Sequence, residues 1–210
     1  LMKKYFLVIL SSFFVGLAQH PINLGFLAWF SFIPILFFLD KIDSLKEYFY
    51  TGFIWGFVYH LTCIFWLSMN IGTNINIALL TMVLSVFVLT LNSIIIFLVL
   101  FIFKRYYIEK YIYFLPFIWV VVEYVKSYGA LGFPWVAISN TQIDYLMLIQ
   151  NAEIFGIYGI SFWILCFNIT FYNYIKSFNY YSILNKKMLF CILVFIVPWF
   201  SGLYLYKNVK

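Results

Sequence analysis

The sequence predicts an all-α polytopic membrane helix bundle of about seven transmembrane helices, interrupted by a re-entrant or interfacial segment between the fifth and sixth. Three observations carry this expectation. Of the 210 residues 66% are apolar and 25% aromatic, and only 10% are charged, which with a mean hydropathy of +1.01 is far outside the range of soluble domains. Apolar runs recur at close to the ~20 residues that cross a hydrocarbon core of roughly 30 Å as a helix. The basic residues, finally, fall in alternate gaps between those runs.

The runs lie at about residues 5–18, 22–39, 48–69, 75–103, 111–128, 152–175 and 188–206, so that 1–210 form a single transmembrane domain. The first, in LMKKYFLVILSSFFVGLAQ, is short and also reads as a secretory signal, with Lys3 and Lys4 as its basic region and Gly16-Leu17-Ala18 before a cut. Six further spans need an anchor, so a retained span is the expectation. With Lys3 and Lys4 cytoplasmic, the same side receives Lys41, Lys46, Lys104, Arg105, Lys110, Lys176, Lys186 and Lys187, ten of the thirteen basic residues. The acids there, Asp40, Asp43, Glu47 and Glu109, leave that face at +6, the net charge of the whole chain. Positive loops resist translocation, so the N-terminus is expected in the cytoplasm and, after an odd number of spans, the C-terminus outside. The basic balance thus reports topology; no basic aromatic motif points to nucleic acid. Cys63, Cys166 and Cys191 lie inside spans without CxxC spacing or clustered His and read as small buried hydrophobes. Neither a metal nor a cofactor is indicated.

In the second span Pro21 suits a first helical turn and Pro34 is expected to kink the helix interior, while Trp29 reads as packing. The third carries Gly52 and Gly56 as a GxxxG pair that lets a neighbouring helix approach closely. His60 lies on or beside that stripe. An ionisable intramembrane residue is a functional hypothesis by default, but a neutral His needs only one hydrogen bond, and a structural role is expected. Trp66 suits an interfacial anchor, and the long fourth span is scaffold.

The fifth span holds the notable charges. Glu123 is twelve residues beyond Tyr111, about 18 Å along a helix, in the outer half of the bilayer. Lys126, three residues on, is close enough to pair. Two readings stay open: a snorkelling ion pair near the surface, or a buried carboxylate in a polar cavity opening outward. Then comes GALGFPWVAISNTQ, residues 129–142, in which Gly129, Gly132 and Pro134 break the helix. Non-helical backbone at membrane depth survives only where protein or a wet cavity satisfies it. Ser139, Asn140, Thr141, Gln142 and Asp144 suit an element along the outer surface. Asn151 is placed to cap the sixth helix, with Glu153 in its first turn, and Gly156 and Gly159 again allow close helix contact.

The runs PINLGFLAWFSFIPILFFL, GFIWGFVYHLTCIFWLSMNI, FIWVVVEYVKSYGALGFPWVAISNTQ and EIFGIYGISFWI stand in the order and spacing of the membrane domain of bacterial apolipoprotein N-acyltransferases, which the chain resembles over nearly its whole length. Trp119, Glu123, Gly132 to Trp135, Gln142, Gly156, Gly159, Ser161 and Phe162 carry the resemblance most specifically. It implies a bacterial inner-membrane protein that transfers an acyl chain from a phospholipid donor to the α-amino group of a diacylglyceryl-cysteine lipoprotein acceptor. It also implies that the catalytic Glu, Lys and Cys belong to a nitrilase-like domain following the seventh span, in cis or in trans, with the Cys acylated first. No catalytic residue is therefore expected within 1–210, which reads as a fragment or a separate chain. The resemblance implies that Phe133, Trp135 and Gln142 line the floor on which an acyl donor meets the catalytic domain, and Glu123 and Asn140 join them as candidates for binding substrate or lipid. His60 stands where the family has an apolar residue, and ISNTQ departs from its usual run. Two other readings remain open: a small-molecule binding or transport subunit, with Glu123 and His60 at a broken-helix site, or a non-functional truncated remnant.

Overall fold

The computed structural model describes residues 3–106, 110–129, 132–178 and 186–208. Glu109 and Lys210 among the charges, and Ala130 and Leu131 of the glycine-rich break, lie outside the described residues. Within them the chain is built from α-helices and short 3-10 turns, with no strand. Leu45–Met69, Ile75–Tyr106, Ala152–Lys176 and Lys186–Asn208 are long and apolar enough to cross a membrane, whereas Phe6–Ala18, Gly25–Leu39 and Tyr111–Val125 are shorter apolar segments. Each predicted run therefore has a helical counterpart, but three of them are not full-length helices.

The second run shows why. A 3-10 turn, Gly25–Trp29, is followed by helix α2, Ile33–Leu39, with Pro34 in its first turn. Pro34 starts a helix here instead of kinking one, since its missing N–H costs nothing at that position. Pro21 precedes the 3-10 turn and lies in no helix. Asn168 covers the interruption, its Oδ1 accepting from Phe32 N at 3.0 Å and its Nδ2 donating to Ala28 O at 2.9 Å.

Helix α1 (Phe6–Ala18) packs on α3 (Leu45–Ile64), which a capping box of Ser44 and Glu47 opens, and the short α2 packs on α1 and on the helix Ala152–Lys176. Helix α4 (Ile75–Tyr106) lies against α3. Gly52 and Gly56 face this contact: an added Cβ would stand 2.7 Å from Ile94 Cα at Gly52 and 2.7 Å from Ser93 Cβ at Gly56. The centre is aromatic. Trp55 of α3 meets Trp119 edge-on at 4.9 Å, and Phe32 reaches the same indole at 5.0 Å. The lysine-rich end is closed by ion pairs between elements: Lys4–Glu47, Lys104–Asp43 and Lys176–Asp40, each at 2.6 Å. Lys104 also donates to Ile42 O at 2.5 Å, holding the turn between α2 and α3.

The other half comprises α5 (Leu115–Val125), a single turn α6 (Leu146–Ile149), α7 (Ala152–Lys176) and α8 (Lys186–Asn208). The close helix contact expected at Gly156 does not form. Gly156 has φ +67° and nothing within 4 Å of where a Cβ would be; it bends α7 in a conformation that side chains resist. At Gly159 the tight neighbour is Phe155, on the far side of this bend. Nor does Asn151 cap α7. Its Nδ2 donates to Pro198 O at 2.8 Å and its Oδ1 accepts from Ser201 Oγ at 2.5 Å, tying α7 to α8.

Gly52→Val is expected to lower the melting temperature of the detergent-solubilised chain by several degrees, because the new methyls must displace the α4 backbone at about 1–3 kcal/mol or more. Gly72→Ala, whose neighbour is only the Asn70 side chain at 3.2 Å, should leave it within a degree or so.

Candidate functional site

Helix α5 ends at Val125, and the chain returns through the bundle. Gly129 has φ +82°, Phe133 N donates back to Lys126 O at 3.0 Å, and two 3-10 turns follow at Pro134–Val136 and Ile138–Gln142. Val136 to Ser139, Thr141 and Gln142 are all buried. Such short turns leave peptide groups without helical partners, and in an apolar setting each unpaired one costs several kcal/mol.

Side chains from four parts of the fold supply the partners. Tyr59 of α3 donates its hydroxyl to Val136 O at 2.7 Å, and Gln19, just past α1, donates to Ala137 O at 2.9 Å and to the Tyr59 hydroxyl at 2.8 Å. Ile138 N donates to Glu123 Oε1 of α5 at 2.8 Å, an oxygen that also accepts from Trp119 Nε1 at 3.0 Å. Ser139 N donates to Ser161 Oγ of α7 at 2.9 Å. Gln142 repays the favour to the 3-10 turn of the second run, donating to Gly25 O at 2.9 Å and accepting from Trp29 Nε1 at 3.1 Å. Gly25 is required there, since a Cβ would lie 2.1 Å from Thr141 O.

Glu123 is 1% exposed and its carboxylate is hydrogen-bonded to Ile138 N and Trp119 Nε1 instead of forming a close ion pair with Lys126, so of the two readings the buried carboxylate is the one the fold shows. One of its oxygens takes the two N–H groups and the other, Oε2, has no protein partner. Lys126 closes α5 and turns its ammonium to Val136 O at 3.4 Å. His60 is buried with Nδ1 2.7 Å from Gly56 O, a single local hydrogen bond on its own helix.

In front of this buried insert is a cavity of about 420 Å3, whose walls include Gln19, Cys63, Trp66, Phe133, Trp135 and Asn140. Trp135 is 63% exposed and leans on Phe133 at 5.4 Å and Trp66 at 6.2 Å. Asn140 Nδ2 fixes the Trp135 carbonyl at 2.8 Å. At the rim Asn23 bonds to Asp144, and His20 Nε2 stands 3.9 Å from Asp144.

The structure thus separates the five candidates. Phe133, Trp135 and Asn140 face the cavity; Glu123 and Gln142 sit behind it and hold the backbone that presents them. Sequence reasoning missed Gln19, Tyr59 and Trp29 as partners and Cys63 as a wall residue. A glutamine at the end of an apolar run was the available signal for the first. Among the described residues no three His, Cys, Asp or Glu gather as a metal site, and no lining side chain is hydrogen-bonded as a nucleophile–base pair. The cavity is lined mainly by aromatic and aliphatic side chains with a few polar groups, Gln19, His20 and Asn140.

Residues 11–170 match the family model for the N-terminal domain of apolipoprotein N-acyltransferase. The chain belongs to the apolipoprotein N-acyltransferase family. Among similar members, the apolipoprotein N-acyltransferase of Geobacter metallireducens is 29% identical over 84% of this chain and 34% of its own length. That of Chlorobaculum tepidum is 28% identical over 80% and 31%, and that of Coxiella burnetii 32% identical over 72% and 31%. The chain therefore spans about a third of the length of the curated family members it matches. The match takes in the insert and both of its flanking helices, most of α7 included, and stops before α8.

Glu123→Ala would strand two buried N–H donors at about 1–3 kcal/mol each. Amide exchange at Ile138 and Ser139 is expected to rise by at least tenfold, whereas Glu123→Gln, which keeps an acceptor at Oε1, should raise it far less. Hydrogen-exchange mass spectrometry of the segment reads the difference.

Proposed function

We propose that this chain is the membrane part of an apolipoprotein N-acyltransferase, which takes an acyl chain from a phospholipid and passes it to the α-amino group of a diacylglyceryl-cysteine lipoprotein. Its own part is to seat a nitrilase-like catalytic domain, in cis or in trans, and to form the entrance through which lipid and lipoprotein approach. The lysine-rich end faces the cytoplasm of the bacterial inner membrane and the insert faces outward, since ten of the thirteen basic residues gather on the opposite side. The observation that carries this reading is the aromatic cavity beside Phe133 and Trp135, opening at the end away from the lysines and backed by a wall whose peptide groups are bonded by side chains of the bundle. Inside the cavity an amphipathic substrate meets aromatic rings.

Acid–base and nucleophilic chemistry is assigned to the partner domain, and this chain by itself transfers no acyl group. A transport reading draws no support from His60 or from Glu123 Oε1, whose hydrogen bonds stay within the bundle.

In a complete enzyme joined to the catalytic domain, Trp135→Ala should lower acyl transfer to a lipopeptide by about tenfold or more while the amount inserted in the membrane stays within twofold; ~1.4 kcal/mol of lost binding suffices for tenfold. Equal losses in turnover and insertion would make Trp135 a folding residue instead.

A further inference from the structure

A second hollow is lined on α5 by Phe117 and Val120, not by Trp119 and Glu123 of the insert's hydrogen-bond network. It is a groove of about 850 Å3 between α5, α7 and α8, with Phe117, Val120, Tyr158, Trp163, Phe190 and Val194 among its walls. Among the described residues no charged one lines it. Its one indole N–H is already used: Pro198 cannot donate to the carbonyl four residues back, and Trp163 Nε1 donates to that free Val194 O at 2.8 Å. This bond also ties α7 to α8, so the groove is preformed and offers an occupant apolar surface. Gly159 and Cys166 leave the floor shallow between the rings.

Its length and its polar end identify the occupant. From Tyr158 to Cys166 is eight residues, about 12 Å of helix, which approaches the ~15 Å depth of one leaflet. The end nearer the insert carries the Tyr158 ring, edge-on to Tyr124 at 5.7 Å, which in turn meets Tyr128 at 4.9 Å. Tyrosines at one end of an apolar surface mark the headgroup level. We propose that the groove is a binding site for one acyl chain of a phospholipid in the leaflet next to the insert, its glycerol end beside the Tyr158 hydroxyl. The site is distinct from the cavity at Trp135, and it stands whether or not the chain serves an acyltransferase.

The test uses the full chain in detergent micelles, titrated with a phosphatidylcholine brominated at mid-chain, with tryptophan emission as the readout. Trp163 lies within the groove, so a quenching component that saturates at one lipid per chain is expected. Val120→Phe and Cys166→Phe, which fill the groove from two sides, should each weaken that component at least tenfold while leaving the non-saturating quenching unchanged. The native titration alone decides if either variant fails to fold. Quenching that only rises in proportion to added lipid, or a saturating component untouched by both variants, overturns the proposal. So does a lipid-free dimer in native mass spectrometry, which would make the groove a protein contact.

Discussion

A peptide group inside a membrane must find a partner within the protein, and this requirement organises the fold around residues 134–142. Five peptide groups about the insert, Val136 O, Ala137 O, Ile138 N, Ser139 N and Gly25 O, are met by side chains of Tyr59, Gln19, Glu123, Ser161 and Gln142. With each unpaired group costing several kcal/mol, no one of these helices holds its position independently of the others. A buried carboxyl suits the centre of such a network because one oxygen accepts twice, from Ile138 N and Trp119 Nε1, and hydrogen bonds to acidic groups are the stronger kind. The bundle mends its other interruption in the same way, with Asn168 bridging Ala28 and Phe32.

The rest of the architecture keeps those partners in place. Gly52 and Gly56 bring α4 against α3, the Trp55–Trp119–Phe32 contacts fix α3, α5 and α2 relative to one another, and the ion pairs at the lysine end restrain the opposite ends of the same helices. The result is a division of labour within one short motif. Alternate parts of GFPWVAISNTQ either turn inward to be bonded or stand outward, as Trp135 does, to line the cavity. Cavity wall and structural anchor are a few residues apart in the chain.

Much of this was legible in the sequence, for identifiable reasons. Apolar run length marked the long helices and the shorter apolar segments, and the Gly-Pro break marked the insert, because both follow from local chemistry. Gly52 and Gly56 were legible from spacing. What was not legible depended on tertiary partners. Pro34 opens α2 because a 3-10 turn precedes it; Lys126 answers a carbonyl of the insert in place of Glu123; Asn151 ties α7 to α8 instead of capping. Gly156, read as a contact, is a bend, since a positive φ leaves no trace in composition. Trp29 looked like packing until Gln142 arrived from more than a hundred residues away.

The central claim is that the insert is a buried, bonded wall with one exposed aromatic face. It is tested most directly by cysteine accessibility in intact cells, in a version of the chain whose Cys63, Cys166 and Cys191 are replaced by alanine. Trp135→Cys should react with a membrane-impermeant maleimide added outside, and Ile138→Cys, at a fully buried position, should not react until the protein is denatured. Equal labelling of the two would show a surface loop, and labelling of Trp135→Cys only from the cytoplasmic side would reverse the orientation; either result contradicts the account.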